Sequence, residues 1–205
     1  GRVVVDDPHE HERVRRFAQR VMPDLAHRVE LYDGQEPIFD AFGVEDELAR
    51  ALSPKVWLRS GGYIVIEQTE ALTTVDVNTG RYVGRRNLEE TLVKTNLEAV
   101  REIAYQLRLR DVGGIIVIDF IDMERVEHRD KVVGALTDAL RRDRTRTVVH
   151  PMSPLGLVEL TRKRTRPSLL SRIAAPCRHC DGRGYVQSVR MVGHKVVREI
   201  MRVGR

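Results

Sequence analysis

Residues 111–119 read Asp111-Val112-Gly113-Gly114-Ile115-Ile116-Val117-Ile118-Asp119: two glycines, four β-branched residues in a row, then a carboxylate. Val and Ile crowd the turns of a helix and suit a pleated strand. An apolar run without polar alternation reads as a central strand covered on both faces. Upstream, residues 87–110 carry Leu88, Leu92, Ala99, Val100, Ile103 and Leu107 at helical spacing, with Glu and Arg on the outer side. The Gly113-Gly114 pair reads as the stop of that helix. Three strand candidates precede it: Lys55-Val56-Trp57-Leu58, Gly62-Tyr63-Ile64-Val65-Ile66 and Ala71-Leu72-Thr73-Thr74-Val75-Asp76-Val77, with Gly61-Gly62 and Glu70 at the turns. Beyond Asp119 the pattern predicts a helix over residues 124–142, a short strand at Val148-Val149 and another at Leu157-Val158-Glu159-Leu160. Mixed strands with long intervening helices predict a layered α/β domain over residues 52–173.

The flanks differ in character. Residues 1–51 read strand, helix, strand, helix. Val3-Val4-Val5 is β-branched, and Asp7-Pro8 supplies an N-cap and a first-turn Pro to a helix bearing Val14, Phe17, Val21 and Met22 on one side. Residues 27–32 alternate like a half-buried strand, Asp33-Gly34 turns the chain, and residues 37–51 suit a helix broken near Gly43. A unit this small is near the lower limit for independent folding, so it reads as part of a domain or as a layer packed on the larger α/β domain. After Pro176 the chain becomes Cys- and Gly-rich. Residues 187–205 suit a basic amphipathic helix through Val189, Val192, Val196 and Ile200. The chain starts at Gly1 without an initiator Met, which reads as an excised piece of a longer protein.

Of the 205 residues, 41% are apolar and 32% charged, a globular composition. No apolar run is long enough to span a bilayer, and the polar start is not a signal peptide. The net charge of +5 divides into +12 over residues 141–205 and −7 over the remainder. A basic C-terminal third suits a polyanionic partner such as nucleic acid. Two cysteines three apart make a poor staple and point to metal or redox chemistry inside a cell, with the cytoplasm as the default compartment. Four Phe, five Tyr and Trp57 occupy positions that read as structural, so base stacking is expected to be weak or supplied elsewhere. His128 and His150 each stand apart from any nucleophile order, and the chain has no P-loop.

Two acidic residues end candidate strands. In Thr74-Val75-Asp76-Val77-Asn78, alternation puts Asp76 and Asn78 on the same side. Asp119 follows an apolar run, where an unpaired carboxylate is costly and a divalent cation offsets the cost. One or two carboxylates with retained waters and a substrate phosphate is the usual way to hold Mg²⁺. An N-cap or a buried ion pair is the alternative for either Asp. Asp122 reads as the cap of the next helix. Cys177-Arg178-His179-Cys180-Asp181-Gly182-Arg183-Gly184 has the shape of a zinc knuckle, but structural zinc wants four ligands. His179 and His194 could complete the set within one chain. A Zn²⁺ shared by two chains fits the spacing better, because His179 lies between the thiols. A redox pair is the remaining alternative. In the basic stretch 161–168, Arg162, Arg164 and Arg166 are candidate contacts to nucleic-acid phosphates, with a solvated loop as the alternative.

Glu67-Gln68-Thr69-Glu70-Ala71-Leu72-Thr73-Thr74-Val75-Asp76-Val77-Asn78-Thr79-Gly80, Thr95-Asn96-Leu97-Glu98-Ala99 and the run from Gln106 to Met123 resemble the signature of the RNase E/G family. The Cys177-to-Gly184 run resembles that family's zinc link. The resemblance implies a partial RNase H-like segment at 1–51, a DNase I-like catalytic subdomain at 52–173, the zinc link at 174–186 and the start of a small C-terminal domain at 187–205. It implies Asp76 and Asp119 as Mg²⁺ ligands with Asn78 as a catalytic helper. Cys177 and Cys180 would share Zn²⁺ with a second chain, in tetramers built as dimers of dimers. The expected activity is Mg²⁺-dependent endonucleolytic cleavage of single-stranded RNA to 5′-phosphate products in RNA processing and decay, with RNA-decay proteins as possible partners. The family's S1 domain and 5′-end sensor have no counterpart in these residues. A catalytically weak RNA-binding scaffold and a DNA-directed phosphodiesterase are the rival expectations.

Overall fold

The computed structural model describes residues 1–80 and 88–204; Asn87, the expected start of the long helix, lies outside them. Val3–Val5 (β1) is followed by helix α1, Pro8–Val21, and by a 3-10 turn, Pro23–Arg28, that leads to Val29–Leu31 (β2). β1 and β2 pair in parallel, Val4 opposite Glu30. Asp7 caps α1 by accepting the Glu10 N–H at 2.8 Å, and Pro8 sits in the first turn, where an N–H has no helical partner. Ile38–Ala41 (α2) and Val44–Leu52 (α3) are one helical stretch interrupted at Gly43, whose φ is +63°. Among the described residues of this opening segment, Ala18 and Ala51 alone are fully buried. Phe17, Val21, Met22, Leu31 and Phe42 stay exposed.

The main layer begins with Lys55–Trp57 (β3), Tyr63–Gln68 (β4) and Leu72–Asn78 (β5). Leu88–Leu109 (α4) crosses over to Gly114–Asp119 (β6). Val126–Arg141 (α5), Thr147–Val149 (β7) and Leu157–Arg162 (β8) complete it. Among the described residues these strands form a six-stranded mixed sheet in the order β3-β4-β5-β6-β8-β7. Its neighbours are antiparallel except β5 and β6, which run parallel and are joined through α4. Leu169–Ile173 (α6) and Val189–Val203 (α7) come next, α7 capped by Ser188 and carrying an exposed apolar stripe that includes Val189, Val196 and Ile200. Among the described residues no helix is long and apolar enough to cross a membrane.

α4 and α5 pack against each other on the same side of the sheet. Val56, Ile64, Ile66, Val75, Val77, Ile116, Ile118, Val158 and Leu160 meet Val100, Ile103, Leu107, Val132 and Leu136 in one apolar core. Burying such side chains stabilises the fold by about 1.5–3 kcal/mol each, before chain entropy is set against it. β6 departs from the expectation that it is covered on both faces. Ile116 and Ile118 are fully buried, but Ile115 is half exposed, because both long helices lie on one side. Among the described residues the opposite face stays open.

Local signals also shifted. The left-handed residue that ends α4 is Asp111, with φ +52°, rather than a glycine. α5 starts at Val126, and its N-cap Arg125 makes no side-chain cap bond, so Asp122 does not cap it. The buried Arg110 ties α4 to the end of α3: its Nη2 donates to the Ser53 carbonyl at 2.8 Å, and its Nε donates to Gln106 Oε1 at 2.8 Å.

Candidate active site

Because β5 and β6 are parallel and in register, Asp76 stands directly opposite Asp119, with Val65 and Leu157 level with them on the outer strands. Neighbouring strands are about 4.8 Å apart. Val75, Val77 and Ile118 point into the core, so alternation sends both carboxylates to the open face, where both are exposed. Asn78, two residues on, shares that side and donates from Nδ2 to Asp76 Oδ2 at 2.8 Å. The three residues singled out in the sequence are therefore brought together.

Among the described residues the negative charge of the site has no ion-pair partner. The Asp119 carboxyl is raised above the ordinary carboxylate range, first by partial burial, then by the charges of Asp76 and Asp122. Asp122 is thus part of the electrostatic surroundings of the pair, and its Oδ1 faces Gly156, where an added Cβ would meet it at 3.2 Å. Among the described residues, the aspartates of the sheet domain that pair with arginine are Asp111, Asp138 and Asp143, and neither Asp76 nor Asp119 does so.

Two supports were not singled out in the sequence. Asn96, fully buried in α4, donates from Nδ2 to the Ile121 carbonyl at 2.8 Å and accepts the Ile121 N–H on Oδ1 at 3.1 Å. It pins the chain as it leaves β6, just past Asp119. A polar residue inside the apolar stripe of a helix was the available signal. His128, read as isolated, meets Glu89 at 2.8 Å and links α5 to α4. On the other side, the β3–β4 turn presses against the end of β5. A Cβ on Gly62 would lie 2.6 Å from the Asn78 carbonyl oxygen, and one on Gly80, at φ +71°, would lie 2.2 Å from the Gly61 carbonyl oxygen. Only glycine permits this approach.

Trp57, expected to be structural, projects from edge strand β3 onto the open face and is 62% exposed. It makes an edge-to-face contact with Tyr63 at 5.3 Å, and Lys55 Nζ lies over both rings.

The basic stretch divides. Arg162 is interior: its side chain is 3% exposed, Nη2 lies 2.8 Å from Asp143 Oδ2, and Nη1 donates to the Val112 carbonyl at 2.6 Å. It has no face left for RNA, and the expectation that it contacts RNA is replaced by a structural role. Arg164 is exposed and lies against Gly113 and Gly114; Arg166 is exposed and paired with Asp111. Both stand near the start of β6, about 17 Å along the strand from Asp119. In the Cys177 run, Asp181, Gly182 and Gly184 adopt positive φ, and the Gly184 N–H donates to Cys180 Sγ at 3.3 Å. Backbone N–H groups of Cys180 and His179 lower the Cys177 thiol below its ordinary range. Both thiols are free, and Cys177 is exposed. Among the described residues no group of three or more His, Cys, Asp or Glu is arranged to hold an ion.

The sequence profile described as Ribonuclease E/G family matches residues 1–165, four-fifths of the chain and all of Asp76, Asn78 and Asp119. The chain belongs to the ribonuclease E/G family. Similar members include a protein named Ribonuclease G from Haemophilus influenzae, 53% identical over 190 residues that make up 93% of this chain and 39% of that protein. Ribonuclease G from Escherichia coli K12 is 50% identical over 98% of this chain and 41% of its own length. A chloroplastic Ribonuclease E/G-like protein of Arabidopsis thaliana is 43% identical over 98% of this chain and 20% of its own length. The chain thus spans about two-fifths of the bacterial proteins named Ribonuclease G that it matches.

Proposed function

We propose that this chain carries the cutting site of an endoribonuclease that acts on single-stranded RNA in RNA processing and decay, with Asp76 and Asp119 as the reacting pair. One observation carries the reading: two carboxylates level on adjacent parallel strands, open to solvent and without a cationic partner among the described residues. Family membership supplies the substrate class, since the relatives are named ribonucleases.

The donor set suits Mg²⁺. Such an ion takes one or two carboxylates and keeps several waters, so it needs no third acidic ligand. The raised Asp119 carboxyl points the same way, because a cation offsets both the burial and the charges of Asp76 and Asp122 that raise it. Bound there, Mg²⁺ would supply a Lewis acid for the scissile phosphate. The chain's own residues do the positioning. Asp76 and Asp119 gather the cation on the open face, Asn78 orients Asp76 through its amide, and Asn96 fixes the segment after Asp119. The products proposed are a 5′-phosphate and a 3′-hydroxyl.

The chain is proposed to divide at residues 51, 173 and 186 into the segments expected above, to work in the cytoplasm and to associate with RNA-decay proteins. Cys177 and Cys180 are proposed to share one Zn²⁺ with the same pair of a second chain, on the way to a tetramer. Their N–H-bonded sulfurs suit thiolate ligation, and a single chain offers two thiols where zinc wants four ligands.

The test is cleavage of a short 5′-monophosphorylated RNA, beside the matching DNA, with Mg²⁺ or EDTA. Asp76→Asn and Asp119→Asn should each abolish RNA cutting while leaving the circular-dichroism spectrum unchanged. Cutting retained by both variants, or undiminished in EDTA, overturns the reading; equal cutting of DNA overturns the substrate class.

A further inference from the structure

Trp57, Tyr63 and Asn78 stand in one cross-strand row of the open face, Trp57 opposite Tyr63 and Tyr63 opposite Asn78. The next row carries Lys55, Val65, Asp76 and Asp119 in the same way. With strands about 4.8 Å apart, Trp57 sits about 10 Å from Asn78, and Lys55 about 10 Å from Asp76 and about 14 Å from Asp119. Between them and Asn78 is a hollow of about 650 Å³, walled at its far side by Gly80. That size lies within the range of small-ligand sites.

The lining is chemically unusual for an idle surface. The largest side chain type in the chain is left 62% exposed on an edge strand, next to a second aromatic. Lys55 Nζ lies 4.2 Å from the Trp57 ring centroid and 3.6 Å from that of Tyr63, and among the described residues no carboxylate forms an ion pair with it. Exposed aromatics interleaved with a cation are how single-stranded nucleic acid is held: bases stack on ring faces and the ammonium meets a phosphate.

We propose that Lys55, Trp57 and Tyr63 form a nucleotide subsite that seats the RNA beside the bond to be cut. One base stacks on the Trp57 indole, and a phosphate of the same strand meets Lys55. The subsite rests on the reading of Asp76 and Asp119 as the reacting pair, because its place on the strand is defined by distance from them. It also answers the poverty of aromatics noted in the sequence. The platform is small, but it lies where the strand must be held still.

Trp57 is the chain's single tryptophan, so its fluorescence reports the subsite directly. The experiment titrates the chain in EDTA with a 5′-monophosphorylated RNA decamer and with copies in which each position in turn is abasic. Saturable quenching is expected with the intact RNA and should be lost at one abasic position. Trp57→Ala should weaken binding of a labelled decamer by about ten-fold, as expected for one lost stacked base, and should no longer distinguish that abasic copy. Trp57→Phe should restore most of the affinity. No quenching, or equal affinity of the wild-type and Trp57→Ala chains, overturns the subsite. Cleavage by Asp76→Asn is measured in parallel. If that variant cuts while Trp57 is quenched, the reacting pair is wrong and the subsite's place in catalysis falls with it. If cutting needs Asp76 but Trp57 stays unquenched, the subsite fails by itself.

Discussion

Replacing Arg162 by Met separates a structural arginine from an RNA-binding one. In the native chain the guanidinium is almost wholly enclosed, with Asp143 7% exposed at 2.8 Å and Asp111 10% exposed at 3.6 Å. It also satisfies the Val112 carbonyl at 2.6 Å and reaches Thr145 Oγ1 at 3.3 Å. Methionine keeps the length of the stem but removes every one of these bonds, leaving Asp143 charged and enclosed. Removing one partner of a buried pair costs about 3–5 kcal/mol. Against a total stability of about 5–15 kcal/mol, that is a large fraction. Asp143→Asn is milder, because the amide oxygen still accepts; a loss of about 2 kcal/mol is expected. The double variant should cost less than the sum of the two, by about 1–3 kcal/mol. The pH dependence has a definite sign. Burial alone would raise the Asp143 carboxyl, but the Thr145 N–H and then Arg162 outweigh it, and the net shift is downward. A depressed carboxyl stabilises the fold above its unfolded value of about 3.9 and loses that contribution as pH falls toward the folded one. Urea unfolding followed by circular dichroism at pH 7 and pH 3 should therefore show the gap between wild type and Asp143→Asn shrinking at low pH. If Arg162→Met unfolds at the wild-type urea midpoint, or loses RNA affinity with stability intact, the structural assignment is wrong.

The site yields three further expected outcomes. Asp119 is raised by burial and by Asp76 and Asp122, so without a cation its ionisation costs stability as pH rises from about 3.9 toward the folded value; Asp119→Asn should match wild type in urea at pH 3 and exceed it at pH 7, and a less stable variant at pH 7 refutes this. Cys177→Ser and Cys180→Ser should each lower bound zinc by elemental analysis and shift mass by light scattering toward smaller oligomers, whereas an unchanged mass counts against a shared ion. Gly80→Ala should cut cleavage at least ten-fold and cost more than the roughly 1 kcal/mol of left-handed strain, because the new methyl meets the Gly61 carbonyl and displaces the end of β5; wild-type rates would show that this approach does not position Asn78.

Asp76 was legible because a strand's period of two put it on one side with Asn78, and Asp119 because it closes an apolar run. Their pairing in register was not. Nothing in either run says which strand is its neighbour; that comes from the crossover through α4 and from helices settling on one face. Ile115 and Val117 hid the open face, since β-branched residues favour a strand whether or not a layer covers them. Trp57 was misread for a related reason: β3 has three residues, too few for alternation to assign an inside and an outside. Arg162 was misread despite an available cue. It lies two residues beyond Leu160 and four beyond Val158, on the buried side of β8, but the density of basic residues masked that register. The cysteine motif was plain, while the proposed sharing of a Zn²⁺ with a second chain cannot be read from one chain's sequence. The small opening unit was also plain in its elements, and it leaves Phe17, Val21 and Phe42 exposed.

The parallel pairing of β5 and β6 has a consequence for the timing of synthesis. Asp119 is made well after Asp76, with the whole of α4 between them, and at about 5–20 residues per second the gap is on the order of seconds. Until β6 has emerged and docked, the nascent protein holds one acid and not its counterpart. On the proposed reading, a polypeptide still on the ribosome would lack the complete acidic pair until the crossover has closed.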